Sequence, residues 1–326
     1  MIERSVDKVF HNILQLFPKE QRGLFRYTAE RQEYVNEIRL RCERPVLVYE
    51  RGKEWFLNQA GEYTPNIGEA VRISGTELEC IMQHICHYSL YAFEEEIRQG
   101  YITVAGGHRI GVVGQVVMAD YSQIRTIKHI RGLNMRISHQ IKGVAEPYLP
   151  YIYREGEVKS ILLVSPPGCG KTTLLRDLIR CVSDGNVYGQ GLTVGVVDER
   201  SEIAGCYMGI PQNDIGIRTD VLDACPKVKG MMLLVRSMAP KVIAIDELGS
   251  KEEAEVVQVV SNCGTKMIAT MHGNDLEDIY KKDGMEGLLG QGSFEVIMFM
   301  TRSEGKCVVN KIYERRKEGE WKYISW

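Results

Sequence analysis

A short strand–loop–helix segment in the middle of the chain constrains its fold more than any other feature. Four apolar residues, 161–164, predict a buried strand, and the segment from Lys171 predicts a helix. Between them, residues 165–172 read Ser-Pro-Pro-Gly-Cys-Gly-Lys-Thr. Gly168 and Gly170 allow successive backbone N–H groups to converge on one point. This context is typical of a phosphate-binding loop, so it predicts a P-loop nucleotide-binding domain.

The residue types in this loop suit contact with the phosphates of ATP. Lys171 supplies a positive charge to the β- and γ-phosphate oxygens, and Thr172 offers a hydroxyl to Mg²⁺. Ser165 replaces the first glycine of the usual G-x-x-x-x-G-K-[ST] pattern, which is a mild change because the later glycines approach the phosphates most closely. The predicted ligands are therefore ATP and Mg²⁺. The predicted nucleotide-binding residues are Ser165, Pro166, Pro167, Gly168, Cys169, Gly170, Lys171, Thr172 and Thr173.

Two acidic residues end a later strand. The apolar residues 242–245 are followed directly by Asp246 and Glu247, which is a Walker B pattern. In a parallel sheet the carboxyl ends of the strands face the nucleotide crevice. Asp246, together with Thr172, is the predicted metal-binding pair. Glu247 is the predicted general base, which would polarise the attacking water, and Lys171 is the predicted catalytic cation.

A second strand end repeats the acidic pattern. Residues 195–197 precede Asp198 and Glu199, so three acids at the two strand ends would lie near one metal. Glu199 is a rival to Glu247 for the role of base, and Asp198 would orient its neighbours. The order of these segments does not decide between the two glutamates. A strand inserted between phosphate loop and Walker B is typical of motor ATPases.

The tip of the next strand and a nearby loop add candidates. Thr270 or His272 would sense the γ-phosphate from the adjacent strand end, and His272 is a predicted catalytic residue. The alternative for His272 is a helix-capping or surface histidine. Arg218 lies in a loop with few apolar anchors. It would reach a phosphate, contact a partner subunit or remain solvated, and the sequence leaves these alternatives open.

The chain length of 326 residues indicates two domains. Residues 146–326 alternate strand and helix, which predicts an α/β fold: a RecA-like P-loop ATPase core with a parallel sheet, followed by antiparallel strands from residue 295 onward. Residues 1–145 mix helices and strands and predict a smaller α+β domain. Within it we expect a helix over 5–17 and another over 74–87, the latter opened by a Thr76–Glu79 capping box.

The composition of the chain restricts the classes of binding partner and the cellular compartment that we expect. A net charge of −2 gives no global basic field for nucleic acid, which is therefore an improbable partner. The sequence contains no apolar run long enough to span a bilayer, and its start lacks the pattern of a signal peptide. The nine cysteines are scattered without a C-x-x-C pair, which favours reduced thiols. These features predict a cytoplasmic protein.

The order of these segments resembles the secretion-type ATPases of type II and type IV traffic systems, which carry Walker A, an acidic box, Walker B and a histidine box. Within that group the chain looks like the family of stage III sporulation protein AA. The segments that carry this resemblance are residues 165–173, 198–203, 218–223 and 246–249, with 36–46 and 106–111 in the first half. Many secretion ATPases have Gly-Glu at Walker B, whereas this chain has Asp-Glu, so the transport role is implied by the resemblance alone.

The resemblance implies a ring, typically a hexamer, in the mother cell of an endospore former. The ring would lie at the inner face of a membrane, held there by integral membrane proteins of a channel to the forespore, and ATP hydrolysis would energise that channel. Family members supply arginines from the N-terminal domain to the nucleotide. The matching candidates here are Arg109, Arg125, Arg131 and Arg136.

Two other functional classes stay open. A basic stretch would suit an ATPase stimulated by nucleic acid. The residues of that stretch are Lys128, Arg131, Arg136 and Lys142. A scaffold that binds nucleotide without hydrolysing it is the third hypothesis.

Overall fold

The computed structural model describes residues 13–119, 124–303, 306–316 and 319–324. They form two compact units, of which one ends at His139 and the other begins at Gln140. The division falls a few residues before the boundary proposed from the sequence. Most of the helix predicted over 5–17, residues 5–12, lies outside the described part of the chain.

An antiparallel sheet of seven strands organises the first unit. Its strands are β1 (Val35–Arg41), β2 (Leu47–Glu50), β3 (Lys53–Leu57), β4 (Tyr63–Thr64), β5 (Tyr101–Val104), β6 (His108–Met118) and β7 (Ile124–Arg136). They pair in the order β4-β3-β2-β1-β7-β6-β5. The helices of this unit are α1 (Arg26–Glu30), α2 (Gly75–Ile85) and α3 (Glu94–Gln99), with 3₁₀ turns at Lys19–Gln21 and Leu90–Phe93. Ile38 and Leu40 are fully buried and alternate with half-buried or exposed neighbours, because one face of the sheet forms the core.

The helix α2 begins with a capping box, but not the predicted one. Ser74 accepts a hydrogen bond from the Glu77 amide, and the Glu77 carboxylate accepts one from the Ser74 amide. The predicted pair, Thr76 and Glu79, lies within the helix. Ser74 is the cap because its backbone is still extended, at φ −71° and ψ 163°, where a cap must be.

The second unit is built on an eight-stranded sheet. Its strands are β10 (Ile161–Ser165), β13 (Val194–Asp198), β14 (Thr219–Asp223), β15 (Val242–Ile245), β16 (Lys266–His272), β17 (Val296–Ser303), β18 (Lys306–Arg315) and β19 (Trp321–Ile324). Their order is β14-β13-β15-β16-β10-β17-β18-β19. Two small hairpins flank it, formed by β8 (Tyr153–Arg154) with β9 (Glu157–Val158) and β11 (Gly185–Asn186) with β12 (Gly189–Gln190).

Helices cover both faces of this sheet. They are α4 (Leu149–Ile152), α5 (Lys171–Asp184), α6 (Lys227–Ser237), α7 (Lys251–Asn262), α8 (Leu276–Tyr280) and α9 (Met285–Gly290), with a 3₁₀ turn at Glu146–Tyr148. Along β10, Ile161 and Leu163 pack in the core under α5, whereas Leu162 and Val164 pack in the opposite core under α6 and α7. A continuous apolar strand is therefore expected here, since neither face meets water.

Two details of this sheet differ from the sequence-based expectation. β17 pairs in parallel with β10 and only then antiparallel with β18, so it belongs to the central sheet rather than to an antiparallel tail. β14 is an edge strand, in parallel with β13, where a loop was expected around Arg218 to Asp220. Its residues are half-buried or exposed, and this weak apolar pattern hid the strand. Among the described residues, no helix is both long and apolar enough to cross a membrane.

Candidate nucleotide site

The phosphate loop joins the buried strand β10 to the helix α5. Gly168 (φ 73°) and Gly170 (φ 75°) both adopt the left-handed backbone that L-residues avoid. A Cβ atom at Gly170 would lie 3.1 Å from the Cβ of Cys307 on β18, a tight contact that adds to the conformational preference for glycine. Pro166 and Pro167 are exposed, and Cys169 is buried. The loop therefore has the backbone shape predicted from residues 165–172.

Lys171 is folded into this loop. It is 8% exposed, and its ammonium lies 3.4 Å from both the carbonyl and the hydroxyl oxygen of Ser165 and 3.5 Å from the carbonyl of Pro166. Burial lowers the pKa of Lys171 below its ordinary value, although the carboxylates of Asp246 and Glu247 act in the opposite direction. The contacts to neutral oxygens are long, so a phosphate would be a better partner for this cation.

His272 connects Lys171 to Glu247. It ends β16 directly beside Ser165 in the sheet register, which explains its place at the loop. The Lys171 ammonium can only donate, so it donates to Nδ1 of His272, 3.0 Å away. The ring proton then belongs on Nε2, which lies 3.5 Å from Oε1 of Glu247. The ring therefore lies between the lysine and the glutamate, with 39% of its side chain exposed, and its catalytic role stays a prediction.

Thr172 and Asp246 meet as predicted for a metal-binding pair. The Thr172 hydroxyl donates to Oδ2 of Asp246 at 2.7 Å, and the Thr270 hydroxyl donates to Oδ1. One hydroxyl and one carboxylate are hard oxygen ligands of the kind that Mg²⁺ takes, together with substrate phosphates, in place of an all-protein cage. The residues therefore fit this ion.

The backbone of Glu247 is fixed by its surroundings. It is a non-glycine residue at φ 57°, a conformation that persists only where the structure determines it. Its amide donates to the Thr270 hydroxyl at 2.8 Å, and its carbonyl accepts from the Lys227 ammonium at 2.6 Å. Its carboxylate lies 3.5 Å from Arg200 and is about half exposed. The side chain therefore extends from this turn to a half-exposed position between Arg200 and His272.

A cleft of about 220 Å³ lies beside this turn. Its lining is mostly acidic and comes from two strand ends and two helix starts: Asp198, Glu199, Arg200, Glu202, Lys227, Asp246, Glu247, Gly249, Ser250 and Glu253. Glu199 is here, with its carboxylate 3.6 Å from the Lys227 ammonium. The two acidic strand ends therefore do lie together, as the parallel register of β13 and β15 requires.

Asp198 does not face a metal. It is 2% exposed, and its carboxylate accepts hydrogen bonds from the amides of Glu202, Ile203 and Ala204 at 2.8, 3.0 and 2.8 Å. Burial raises its pKa, and the three N–H groups oppose that shift. Asp198, for which the sequence suggested an orienting role, therefore has its carboxylate oxygens bound by backbone amides.

Arg176 holds the same segment from the other side. It lies on α5, one turn beyond Thr172, is 8% exposed, and donates to the carbonyls of Ile203 and Glu202, each at 2.6 Å. Burial lowers the pKa of this guanidinium. The segment 202–204 is thereby fixed to the helix that follows the phosphate loop.

Arg218 is at the wrong end of α5 to reach a phosphate. Its guanidinium donates to the carbonyls of Ser183 at 2.9 Å and Asp184 at 3.4 Å, and its amide donates to the Ser183 hydroxyl. A cation beside the last carbonyls of a helix stabilises its negative end. None of the three sequence-based alternatives described this helix-capping contact.

The arginines of the first unit lie on the long strands β6 and β7. Arg109 lies over the ring of Tyr101, with its guanidinium carbon 5.0 Å from the ring centre, and pairs in register with Arg136. Arg131 is 3.3 Å from Glu79, and Arg125 lies near the start of β7. In the basic stretch, Lys142 is ion-paired with Asp214.

Sequence reasoning missed Lys227 and Arg176. Both lie in helices that the sequence predicts, and a lone basic residue in a helix has no distinguishing pattern. Only the fold brings them to the acidic strand ends.

Comparison with known proteins supplies the family. The model for the family "Sporulation stage III, protein AA" matches residues 7–319. Stage III sporulation protein AA of Bacillus subtilis (strain 168) is 36% identical over 306 residues, covering 94% of this chain and 95% of that protein.

Solved structures support the fold. The ATPase DotB of Legionella pneumophila has a TM-score of 0.58 at 14% identity, over 92% of this chain and 81% of that one. The pilus retraction motor PilT, solved with bound ADP, has a TM-score of 0.57 at 15% identity, over 88% of this chain and 80% of that one. The predicted α/β fold with a RecA-like core of the secretion-ATPase kind is confirmed. The full-length matches establish relationship as well as fold: the chain belongs to the family of stage III sporulation protein AA.

Proposed function

We propose that this chain hydrolyses ATP, with Mg²⁺ as cofactor, at the site between the phosphate loop and the β15 strand end. The observation that carries the proposal is the convergence of Lys171, the Thr172–Asp246 pair and Glu247 from two elements, the start of α5 and the end of β15. A positive charge, a hard-oxygen pair and a carboxylate are the groups that phosphoryl transfer to water requires.

Phosphate binding would begin with Lys171. In this structure its ammonium has only long contacts to neutral oxygens and one to His272, so transfer to a phosphate exchanges weak partners for a charged one. The amides from Gly168 to Thr172 add the positive end of α5. Bound Mg²⁺ would neutralise charge on the β- and γ-phosphates, held by the oxygens of Thr172 and Asp246.

Glu247 is the better candidate for the general base. Its carboxylate is about half exposed, and it follows directly after Asp246, so a water near the γ-phosphate lies within its reach. Both glutamates lie beside a cation, Glu247 3.5 Å from Arg200 and Glu199 3.6 Å from Lys227. Glu199 is the weaker candidate because it follows Asp198, whose carboxylate is bound by backbone amides, whereas Glu247 follows Asp246, which contacts Thr172. His272 would lose its contact with Lys171 when that lysine moves to a phosphate. Because Nε2 of His272 lies beside Glu247, this change would reach the Glu247 carboxylate.

The family suggests the larger setting. We propose a ring of identical subunits, six in number, in the mother-cell cytoplasm, held at the membrane by integral proteins of a channel that ATP turnover energises. The N-terminal domain, predicted from the sequence as residues 1–145, would mediate assembly and supply an arginine in trans. Arginines of this kind accelerate hydrolysis by about 10³ to 10⁵, so an isolated subunit should be slow.

The experiment separates binding from turnover. A fluorescent ATP analogue is titrated against the wild type, Lys171→Ala and Glu247→Gln, with Lys281→Ala, an exposed lysine elsewhere in the same unit, as control. We expect Lys171→Ala to lose most affinity and Glu247→Gln to bind ATP but retain it unhydrolysed. Unchanged affinity in Lys171→Ala would refute the site. Unchanged turnover in Glu247→Gln would refute the assignment of the base.

A nucleic-acid-stimulated ATPase is the second candidate. The basic stretch is its support, but Lys142 and Arg131 already have acidic partners. Stimulation by single-stranded DNA or RNA that falls steeply with salt would favour it over the ring motor.

A further inference from the structure

Lys227 occupies a place that electrostatics disfavours. It is the first residue of α6, after Pro226, and its side chain is only 10% exposed. The amino end of a helix carries positive potential, and a buried ammonium needs compensating partners. A cation is retained at such a place only where its partners offset both costs.

Three oxygens compensate it. The Nζ atom of Lys227 lies 2.6 Å from the carbonyl of Glu247, 2.9 Å from the carboxylate of Glu253 and 3.6 Å from that of Glu199. The shortest contact is to the backbone of the proposed base. Lys227 therefore joins the starts of α6 and α7 to the end of β15.

Glu253 extends this contact to the turn after Glu247. Its second carboxylate oxygen accepts from the amides of Gly249 at 2.8 Å and Ser250 at 3.2 Å. Lys227 thus holds the carbonyl at the beginning of the turn, and its partner Glu253 holds the amides at the end. Glu247 lies at the start of this turn with φ 57°, a strained conformation for a glutamate.

We propose that Lys227 is a positioning residue for hydrolysis: it holds the left-handed backbone of Glu247 so that the carboxylate points to the phosphate loop. This inference rests on the proposed ATPase function. It assigns Lys227 no contact with the nucleotide, so its removal affects turnover and spares binding.

The test uses the full chain with Lys227→Met, which keeps the length of the side chain and removes the charge. Lys229→Met, an exposed lysine on the same helix, is the matched control. Turnover, affinity for the fluorescent ATP analogue, oligomeric state and melting temperature are measured for each. We expect kcat to fall at least about tenfold in Lys227→Met with affinity within twofold of wild type, because small misplacements of a reacting group cost up to about 10² in rate.

A double variant excludes a merely structural effect. If Lys227 acts through Glu247, Lys227→Met/Glu247→Gln is no slower than Glu247→Gln alone, since residues acting as one unit are not additive. Multiplied losses in the double variant, or a kcat for Lys227→Met within twofold of wild type, would overturn the proposal. Should Lys227→Met fail to melt cooperatively, Lys227→Gln is judged by the same thresholds.

The outcomes for the two proposals differ. A wild type that neither binds nor hydrolyses ATP ends the proposed function itself. A wild type that hydrolyses ATP, with a slow Glu247→Gln and a fast Lys227→Met, ends only the role of Lys227.

Discussion

Replacing Asp198 by alanine tests whether the first acidic strand end serves the backbone or the metal. The substitution leaves three amides, those of Glu202, Ile203 and Ala204, without their acceptor, two of them in a buried setting. Each orphaned donor costs about 1–3 kcal/mol, reduced where water can enter. The buried Arg176 also loses the favourable charge of Asp198. We expect a loss of about 4 kcal/mol in the free energy of unfolding.

The assay is calorimetry of the full chain, because two units can melt separately. For a unit of this size, about 4 kcal/mol corresponds to a fall of about 8–16 °C in Tm. Asp220→Ala, an exposed aspartate on β14, is the control and should shift Tm little. A fall below about 2 °C would refute the backbone role. Lost nucleotide affinity well below the melting temperature would instead place Asp198 at the metal.

Three further predictions concern the loop, the β16 strand and the thiols. Gly170→Ala should weaken nucleotide binding and lower Tm more than Gly264→Ala, as measured by nucleotide titration and thermal melting. Both glycines have positive φ, but only a side chain at position 170 would contact a neighbour, Cys307. Thr270→Val should slow turnover and lower the free energy of unfolding by about 1–3 kcal/mol, because the Glu247 N–H loses its acceptor. Thr270→Ser should retain the turnover and the stability of the wild type in the same ATPase and melting assays. Alkylation at pH 8, followed by mass spectrometry, should label the exposed thiols. It should spare the buried thiols, because burial raises their pKa and keeps them protonated at that pH. Bound nucleotide should slow the labelling of the thiol beside the phosphate loop. The exposed thiols are Cys80, Cys263 and Cys307, the last of which lies at the loop, and the protected ones are Cys86 and Cys181, with pKa about 11, and Cys206, with pKa about 12.

The parts of the site that depend on local sequence were predictable. The phosphate loop follows from glycines placed between a buried strand and a helix, and Asp246 follows from an apolar strand that ends in acids. These two segments are brought together because the carboxyl ends of parallel strands lie at the same edge of the sheet. Thr172 and Asp246 accordingly meet at 2.7 Å.

The rest depended on contacts between segments distant in sequence. Asp198 and Glu199 are adjacent carboxylates, yet one is bound by backbone amides and the other faces a lysine. Their different surroundings arise from the chain path after β13, which no periodicity records. Arg218 was equally ambiguous, because the carbonyls it caps belong to a helix that ends some thirty residues earlier.

The helix α5 is anchored at three points along its length. Its first residues form the phosphate loop, its middle is bound through Arg176 to the segment 202–204, and its last carbonyls are bound by Arg218, the residue before β14. A helix bound at its start, middle and end cannot shift along its axis without moving the segments bound to it. Any shift of α5 caused by a triphosphate at its first turn would be transmitted through Arg218 to the edge strand β14. The outer side of an edge strand has unpaired backbone N–H and C=O groups, to which an adjoining molecule can bind.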